Sequence, residues 1–493
     1  MPGFPLGFPH VPRGETHGRK TTPRPADQSV RLGPVPGVQR GKRELLILQG
    51  MGSVLRARRR ATIRISPRQS LNEPHQVANG VEGLVVLANG QGLSGPTRGR
   101  TGFSLVAVRT TGAQGDEDRT LRGSSLWGEI ARNQVKSQPR TMTTHIEGFA
   151  TAEGTHRWAT KSMTSHHLPA LHFRVFDSLT LTSIGMGTYL GKVDEVTDAF
   201  VTSAVERSIR SGALNVLDSA ANYRLAHGER AIGLALRQLI SKGEARRDEV
   251  FVATKNGYAA DPDLLKRMVS ERKISNREVF RGVNCMSPCF LEDQLERSRE
   301  NLGIATVDLL YLHNVTDEQV AVLGRDEFLA RLRDSFEFLE MARARVHLRY
   351  YGLATWDTFR SPPESPNHLD LEEVVSLAQS VGGEHHGFRF LQFPFNPRMP
   401  EAVMLRTQRI GVGRGTLLEV ARSLGVGTFS SVPLMQGRLP AREALQFARS
   451  APGHIAPLVG QKDPGHVEEN LSVAALLPWS SDEFGTYLST LRS

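Results

Sequence analysis

The chain has 493 residues, 39% of them hydrophobic and 23% charged, with a formal net charge of +10. That charge is unevenly placed: residues 1–141 hold 22 Lys and Arg against 9 Asp and Glu, which leaves 39 against 42 for residues 142–493. The basic character therefore belongs to the N-terminal part alone, and the near-neutral remainder offers no basic face for a nucleic-acid enzyme. By length the chain has room for roughly two to four domains, although one large barrel can absorb most of it.

Residues 1–141 carry no helical or strand periodicity. They hold Pro/Gly clusters from Pro2 to Pro36, an arginine run at Arg56, Arg58, Arg59 and Arg60, and glycine-rich punctuation over Gly90–Gly99. The apolar runs Leu45–Leu48 and Leu84–Leu87 are too short to span a membrane, and the arrangement of a cleavable signal peptide is missing. The composition predicts a basic, disordered extension; a basic tail that binds nucleic acid or anionic lipid is the alternative. Met142 stands just before the first patterned residues. The expectation is that translation naturally starts there and that residues 1–141 are not a natural protein segment.

Beyond Met142, strands and helices alternate. Residues 142–170 form an N-terminal extension, and the barrel occupies 171–493. Phe173–Val175 and Leu179–Thr182 read as a hairpin across Asp177-Ser178. Strand 1 is placed near Ile184–Gly187, and helix 1 over Thr197–Ser211, before Gly212. Strand 2 is the apolar run ending at Asp218, and helix 2 opens at His227, where apolar residues take helical spacing. Strand 3 ends at Lys255, and a long polar loop then runs to Pro288. Helix 3 is Leu291–Leu302, stopped by Gly303; strand 4 ends at His313; helix 4 lies within Asp326–Arg345. Strand 5 is Leu348–Leu353, helix 5 Leu369–Val381, strand 6 Arg389–Phe393, helix 6 Leu417–Leu424, strand 7 Val426–Ser430 and strand 8 Ala456–Val459. Asp463-Pro464 opens helix 8 with a good N-cap and a proline at the first helical position. Eight strands alternating with helices predict an α/β fold, a closed parallel (β/α)8 TIM barrel preceded by the hairpin. No G-x-G-x-x-G follows strand 1, which argues against a Rossmann dinucleotide domain.

Three successive strands end in an ionisable residue: Asp218, Lys255 and His313. Tyr223 lies in the loop five residues after Asp218. Strand C-termini of a parallel barrel open onto one face, where chemistry sits. From about Ile146 to the C-terminus the chain resembles the aldo-keto reductases, most closely the bacterial branch related to aryl-alcohol dehydrogenases. The resemblance rests on Gly185-Met-Gly-Thr188, Asp218 with Tyr223, Ala253-Thr-Lys255, Leu312-His313-Asn314, Tyr351-Gly-Leu-Ala-Thr355 and His466-Val-Glu-Glu-Asn470.

The resemblance implies reduction of an aldehyde or ketone by a nicotinamide cofactor, NADPH with NADH possible, in a cytoplasmic enzyme acting on a small-molecule carbonyl substrate. In that reading Tyr223 is the general acid, Lys255 and Asp218 tune it, and His313 orients the carbonyl. The residue types suit the task. A phenol titrates near ~10 and donates poorly at neutral pH, and a buried ammonium beside it should stabilise the phenolate and lower that pKa. The carboxylate in turn keeps the lysine charged. The cofactor side implied by the resemblance comprises Gly187, Thr188, Asp218, Thr355, Gln392, Leu434, Gln436, Gly437, Lys462, His466, Glu469 and Asn470. Gln392 would hold the carboxamide, Pro433-Leu434-Met435-Gln436-Gly437 the phosphates, Lys462 and His466 the 2′-phosphate, and Glu469 and Asn470 the adenine. The family's usual Ser-Asn after strand 5 is here Ala354-Thr355, and Ser431 stands at the usual stacking aromatic. Between Gly437 and Pro457 the chain looks short of about one helix.

Plainer roles compete. Asp218 could cap a turn, Tyr223 could be a half-buried loop aromatic, Lys255 a solvated strand end and His313 a satisfied rim histidine. Lys255 could instead be a Schiff-base lysine, which would not require the tyrosine. A cofactor-binding regulatory module on the same barrel, with little or no turnover, is the alternative function. The two cysteines, Cys285 and Cys289, cannot by themselves complete a four-ligand metal site. So few thiols in a chain this long suit a reducing compartment. No metal and no membrane partner is expected.

Overall fold

The structure, a computed structural model, describes residues 84–88, 105–109, 145–261 and 263–491. The chain divides into two units, Met1–Lys136 and Ser137–Ser493. In the first, Leu84–Ala88 (β1) pairs antiparallel with Leu105–Arg109 (β2) over five residues. This ladder differs from the aperiodic reading of that stretch. Both strands are β-branched or aliphatic runs (Leu-Val-Val-Leu-Ala and Leu-Val-Ala-Val-Arg), which have strand propensity without an alternating pattern. The rest of the expectation for residues 1–141, and the proposed start at Met142, lie outside the described residues.

The second unit is the barrel. Phe173–Phe176 (β3) and Leu179–Thr182 (β4) form the hairpin expected from sequence. Asp177 and Ser178 both take left-handed backbone, at φ 47° and 69°, the geometry of a tight two-residue hairpin turn. Eight parallel strands then close on themselves: Gly185–Gly187 (β5), Val216–Asp218 (β6), Phe251–Asn256 (β7), Val307–His313 (β8), Leu348–Ala354 (β9), Phe388–Pro394 (β10) and, after a small antiparallel pair Gln408–Ile410 (β11) and Gly413–Gly415 (β12), Gly427–Ser431 (β13) and Ala456–Gly460 (β14). β14 pairs back onto β5. The closed parallel barrel with helices outside is the predicted fold.

Strand periodicity explains how the interior is filled. On β7, Phe251, Ala253 and Lys255 point inward and Val252 outward; on β8, Leu309 and Tyr311 point inward and Leu310 and Leu312 outward. Phe251, Phe390 and Phe429 stack through the middle of the barrel, with ring centroids 5.5–6.2 Å apart. Gly352 on β9 permits close strand approach: a Cβ there would lie 2.0 Å from the Phe390 carbonyl oxygen. Leu179 and Leu181 of the hairpin close the end opposite the strand C-termini, buried against Phe390 and Leu309 in the same inner cluster.

The segment before the hairpin is docked on that same closed end. The Ala150 amide donates to Asp308 Oδ1 at 2.7 Å, while Asp308 Oδ2 accepts from Arg247 Nη2 at 2.6 Å and the Val252 amide at 2.9 Å. The helix Ala152–Ser165 is capped by Thr151. Its Gly154 sits so close to Asp248 that a Cβ would lie 2.2 Å from the Asp248 carbonyl oxygen.

Three connections depart from the sequence reading. The loop after β7 contains a seven-residue helix, Leu264–Ser270, and a 3-10 turn at Asn276–Glu278. Segments this short complete too few turns for their apolar residues to show a helical period. A further helix, Val315–Leu323, directly follows His313. Between β13 and β14 the crossover helix Ala441–Ser450 is present, so that connection keeps the helix a parallel crossover needs. Among the described residues, no helix is long and apolar enough to cross a membrane.

Candidate active site

The register of the strands brings three ionisable residues to one end of the barrel. Asp218 closes β6 and lies opposite Ala253, Lys255 lies opposite Tyr311, and His313 closes β8 opposite Ala354. All three are nearly enclosed: Asp218 is 3%, Lys255 1% and His313 8% exposed. Lys255 Nζ forms an ion pair with Asp218 Oδ2 and donates to the Ser219 carbonyl oxygen at 2.7 Å. It also lies 4.7 Å from the centre of the Tyr223 ring. The second oxygen of Asp218 accepts from Gln392 Nε2 at 3.0 Å. A buried ion pair is held best when its remaining hydrogen bonds are satisfied, and here both partners have further contacts.

Tyr223 sits in the loop between β6 and the helix His227–Ser241. Its ring meets two others edge-on, Tyr189 at 5.0 Å and His313 at 5.8 Å, and His313 in turn meets Tyr258 at 5.1 Å. Thus the four residues Asp218, Tyr223, Lys255 and His313 form one cluster.

Electrostatics differ from the sequence expectation at Tyr223. Burial pushes the phenol upward, and the neighbouring ammonium, which pulls it down, does not overcome burial; the net direction is above the usual tyrosine value. The lysine contribution has the expected sign, but desolvation of a phenolate is the larger effect. Burial works against the Lys255 ammonium, yet Asp218 and then Tyr223 outweigh it, and the lysine is raised. Burial likewise raises Asp218, against the opposing pull of Lys255 and Gln392. The proton of the pair stays on lysine, whose nitrogen faces carboxylate and carbonyl acceptors. His313 is held well below the usual imidazole value by burial and then by Lys255, so its ring is neutral at neutral pH and offers one N–H donor.

The residues assigned to the cofactor by resemblance are spread around the same rim, on both flanks of the tetrad. Gly187 is in register with Asp218 and with Gly460. Thr188 Oγ1 donates to Ser219 Oγ at 2.9 Å. The Thr355 amide donates to the Gln392 carbonyl oxygen at 2.8 Å. Leu434, Gln436 and Gly437 lie in the turn after β13, where Met435, Gln436 and Gly437 take successive left-handed backbone at φ 46°, 60° and 84°. Lys462 is half-buried after β14; His466 and Glu469 are exposed on the helix Pro464–Ser472. Asn470 is 2% exposed, and its Nδ2 donates inward to Gln461 Oε1 at 3.0 Å. Since β13, β14 and β5 are neighbours, their loops share one sector, next to the sector of β6, β7 and β8 that carries the tetrad.

Other site residues gave no signal in the sequence. Tyr311 is fully buried on β8, with its hydroxyl facing Gln392 and Asp218, and as a strand aromatic it reads as core. Asn284, far away in sequence, donates from Nδ2 to the His313 carbonyl oxygen at 3.1 Å and accepts from Gln319. Glu229 is fully buried behind β7, where sequence suggests only an acid in a helix's first turn.

A closed parallel barrel with its helices outside is the TIM-barrel architecture, and the cluster lies at the strand C-termini of that barrel. Residues 183–361 match the model of the Aldo/keto reductase family. The chain is similar to the aldo-keto reductase yakc (NADP+) of Schizosaccharomyces pombe, 28% identical over 145 residues that cover 28% of this chain and 35% of that protein. The match thus spans about a third of the length of this curated relative. Among solved structures, similarity extends to an aldo-keto reductase from Bacillus halodurans in its holo form, at 18% identity and a TM-score of 0.45 over 65% of this chain and 95% of that one. It extends also to one from Klebsiella pneumoniae in complex with NADP and acetate, at 17% identity and a TM-score of 0.44 over 64% and 94%.

Proposed function

We propose that the barrel is an oxidoreductase of the branch related to aryl-alcohol dehydrogenases, reducing an aldehyde or ketone to an alcohol with a nicotinamide cofactor. The observation that carries this reading is the single buried cluster of Lys255, Asp218, Tyr223 and His313. A neutral phenol that keeps its proton at neutral pH is fitted to donate it to a carbonyl oxygen as charge develops there. The adjacent ammonium, locked by Asp218 and Ser219, then stands beside the phenolate that remains. Neutral His313 donates a hydrogen bond to the same oxygen and aligns it; an imidazolium at this place would be repelled by the Lys255 ammonium.

The donor set fits a dinucleotide in kind. Gln392 and Thr355 would hold the carboxamide, the turn Leu434–Gly437 the phosphates, and Lys462 the 2′-phosphate, which favours NADPH. When bound, the cofactor supplies the hydride; the chain's residues position it and exclude water. At the helix Pro464–Ser472 the Asp463 carboxylate already accepts from the amides of Gly465 and His466, so the 2′-phosphate depends on the lysine side chain more than on that helix end.

The test is NADPH titration by nicotinamide fluorescence, followed by addition of aromatic aldehydes. Saturable binding and aldehyde-dependent cofactor oxidation are expected. Binding without oxidation across the panel would instead support a cofactor-binding regulatory module on the same barrel.

A further inference from the structure

Glu229 is a buried carboxylate whose two oxygens both face hydrogen-bond donors rather than a cation. Oε1 accepts from Thr254 Oγ1 at 2.6 Å and Oε2 from Asn301 Nδ2 at 2.9 Å. The residue is fully buried, and that burial pushes its carboxyl upward. A carboxylate without a cation is an expensive way to fill space inside a protein, so its value here lies in the direction of its bonds.

Those bonds connect the two halves of the proton-transfer pair. Thr254 immediately precedes Lys255 on β7, and the pleat sends Thr254 outward to Glu229 while Lys255 points into the barrel. On the other side, Glu229 lies in the first turn of the helix that ends the Tyr223 loop. Between Tyr223 and that helix are three successive left-handed residues, Arg224, Leu225 and Ala226, at φ 51°, 54° and 67°, a conformation that persists only where its surroundings enforce it. The start of the helix is pressed onto the strand ends: a Cβ on Gly228 would lie 2.8 Å from both Ser219 Oγ and Thr188 Oγ1. One turn further, Gly233 packs on the backbone of Asn301 and Leu302, 2.6 Å from the nearest carbonyl oxygen to its would-be Cβ. The near side of the loop is tied by backbone bonds, Ser219 to the Ala253 carbonyl and Ala221 to the Lys255 carbonyl, both 3.0 Å. Glu229 ties the far side.

We propose that Glu229 is a positioning residue that locks the helix ending the Tyr223 loop to the strand carrying Lys255, and so sets the separation of phenol and ammonium. The inference rests on Tyr223 and Lys255 being the proton-transfer pair. Besides Lys255, the groups facing Tyr223 are Asp218, Tyr189 and His313. If the lock fails, the ammonium recedes and its lowering pull on the phenol weakens, so the alkaline limb of kcat must move to higher pH.

The experiment uses the full chain with NADPH and an aromatic aldehyde that the parent turns over. A parent that binds NADPH but reduces nothing refutes the assigned function, not the lock, which is separately readable from Tyr223 titration by ultraviolet difference spectroscopy. Glu229→Gln keeps an acceptor for Thr254 and should stay within a few-fold of the parent. Glu229→Ala should keep its NADPH affinity, lose roughly 10²-fold in kcat, the scale of a small misplacement, and shift its alkaline limb upward. Thr254→Val removes the same bond from the other side and should shift the limb in the same direction; it decides the matter if Glu229→Ala fails to fold. Parent pH profiles and an unshifted Tyr223 titration in the folded variants would overturn the proposal, even if kcat fell, since lost packing alone does not move that pKa.

Discussion

At the scale of single residues the site makes separable demands. Tyr223→Phe keeps the ring contacts with Tyr189 and His313 and removes the hydroxyl alone. Nicotinamide affinity should persist while the chemical step slows by ~10²–10⁴-fold, the range for a general acid. In the parent the phenol is raised, so it stays protonated and competent up to its elevated pKa; the alkaline limb of kcat should lie above ~10, the ordinary tyrosine value. Lys255→Met removes the lowering pull and should move that limb further up, whereas Tyr223→Phe should erase it and His313→Ala should mainly raise KM. Parent rates in Tyr223→Phe, with cofactor oxidation shown to be limiting, would end the assignment. On the cofactor side, Lys462→Ala should weaken NADPH by ~1–3 kcal/mol, the worth of a hydrogen bond to a charged group, and leave NADH nearly unchanged; isothermal titration with both cofactors tests this, and equal losses would reject Lys462 as the 2′-phosphate ligand. The cluster could be read from the chain because Asp218, Lys255 and His313 lie at or beside strand ends and Tyr223 stands in the short loop after one of them. The net direction at Tyr223 could not, because it depends on how much solvent the folded barrel removes. Nor could Asn284 or Glu229, whose partners His313 and Asn301 lie 29 and 72 residues away.

Among the elements, the segment before the hairpin acts as a clamp on the closed end of the barrel. Asp308 is fully buried on β8 and gathers Ala150, Arg247 and Val252. Arg349 sits over the Phe149 ring with 4.5 Å to its centroid, and Arg157 pairs with Asp248 at 2.9 Å and Glu249 at 3.1 Å. A chain beginning at Met142 should therefore keep its thermal midpoint and activity, while one beginning at His167 should lose solubility or cooperative unfolding. Asp308→Ala, which leaves the Arg247 guanidinium buried without its carboxylate, should cost ~3–5 kcal/mol, as when one partner of a buried pair is removed. Urea unfolding of the four proteins tests both points, and a His167 start as stable as the parent would show that the clamp is ornamental. The strand positions were legible because the barrel's strands are apolar runs that stop at polar rim residues, as at Val307–His313. The helices Leu264–Ser270 and Val315–Leu323 were not, because the first completes too few turns to show a period and the second buries Thr316 and Gln319 beside Val315 and Val320. Their order comes from docking against the barrel.

For the whole molecule, two imidazoles deep in the closed end set how the fold responds to acid. His172 Nε2 donates to the Ala213 carbonyl oxygen at 2.8 Å, leaving Nδ1 to accept from Ser183 Oγ at 3.0 Å and Arg449 Nη2 at 3.1 Å. His454 lies between Thr428 Oγ1 and Ser430 Oγ, each at 2.9 Å. Burial pushes both down to about 3, aided by Arg449 at His172 and by Arg174 at His454. In the unfolded chain each titrates near ~6.5. As pH falls below that value the unfolded state takes up protons that the folded state refuses, so the stabilisation is complete above ~6.5 and is lost progressively toward the folded value. Raised carboxyls such as Glu229 and Asp317 act in the opposite sense, since they bind protons more readily in the folded state; total stability against pH therefore mixes both signs. The contribution of one histidine is isolated by difference. Between pH 6.5, where the unfolded imidazole is half protonated, and pH 5, His454 alone should cost ~1.6 kcal/mol. In His454→Asn, whose amide can bond to Thr428 or Ser430 without titrating, the loss of unfolding free energy between pH 6.5 and 5 should be smaller than the parent's by about that amount. Urea denaturation at the two pH values measures it. Equal losses in parent and variant would mean that His454 is protonated inside the fold and that the hydrogen bonds from Thr428 and Ser430 do not hold it neutral.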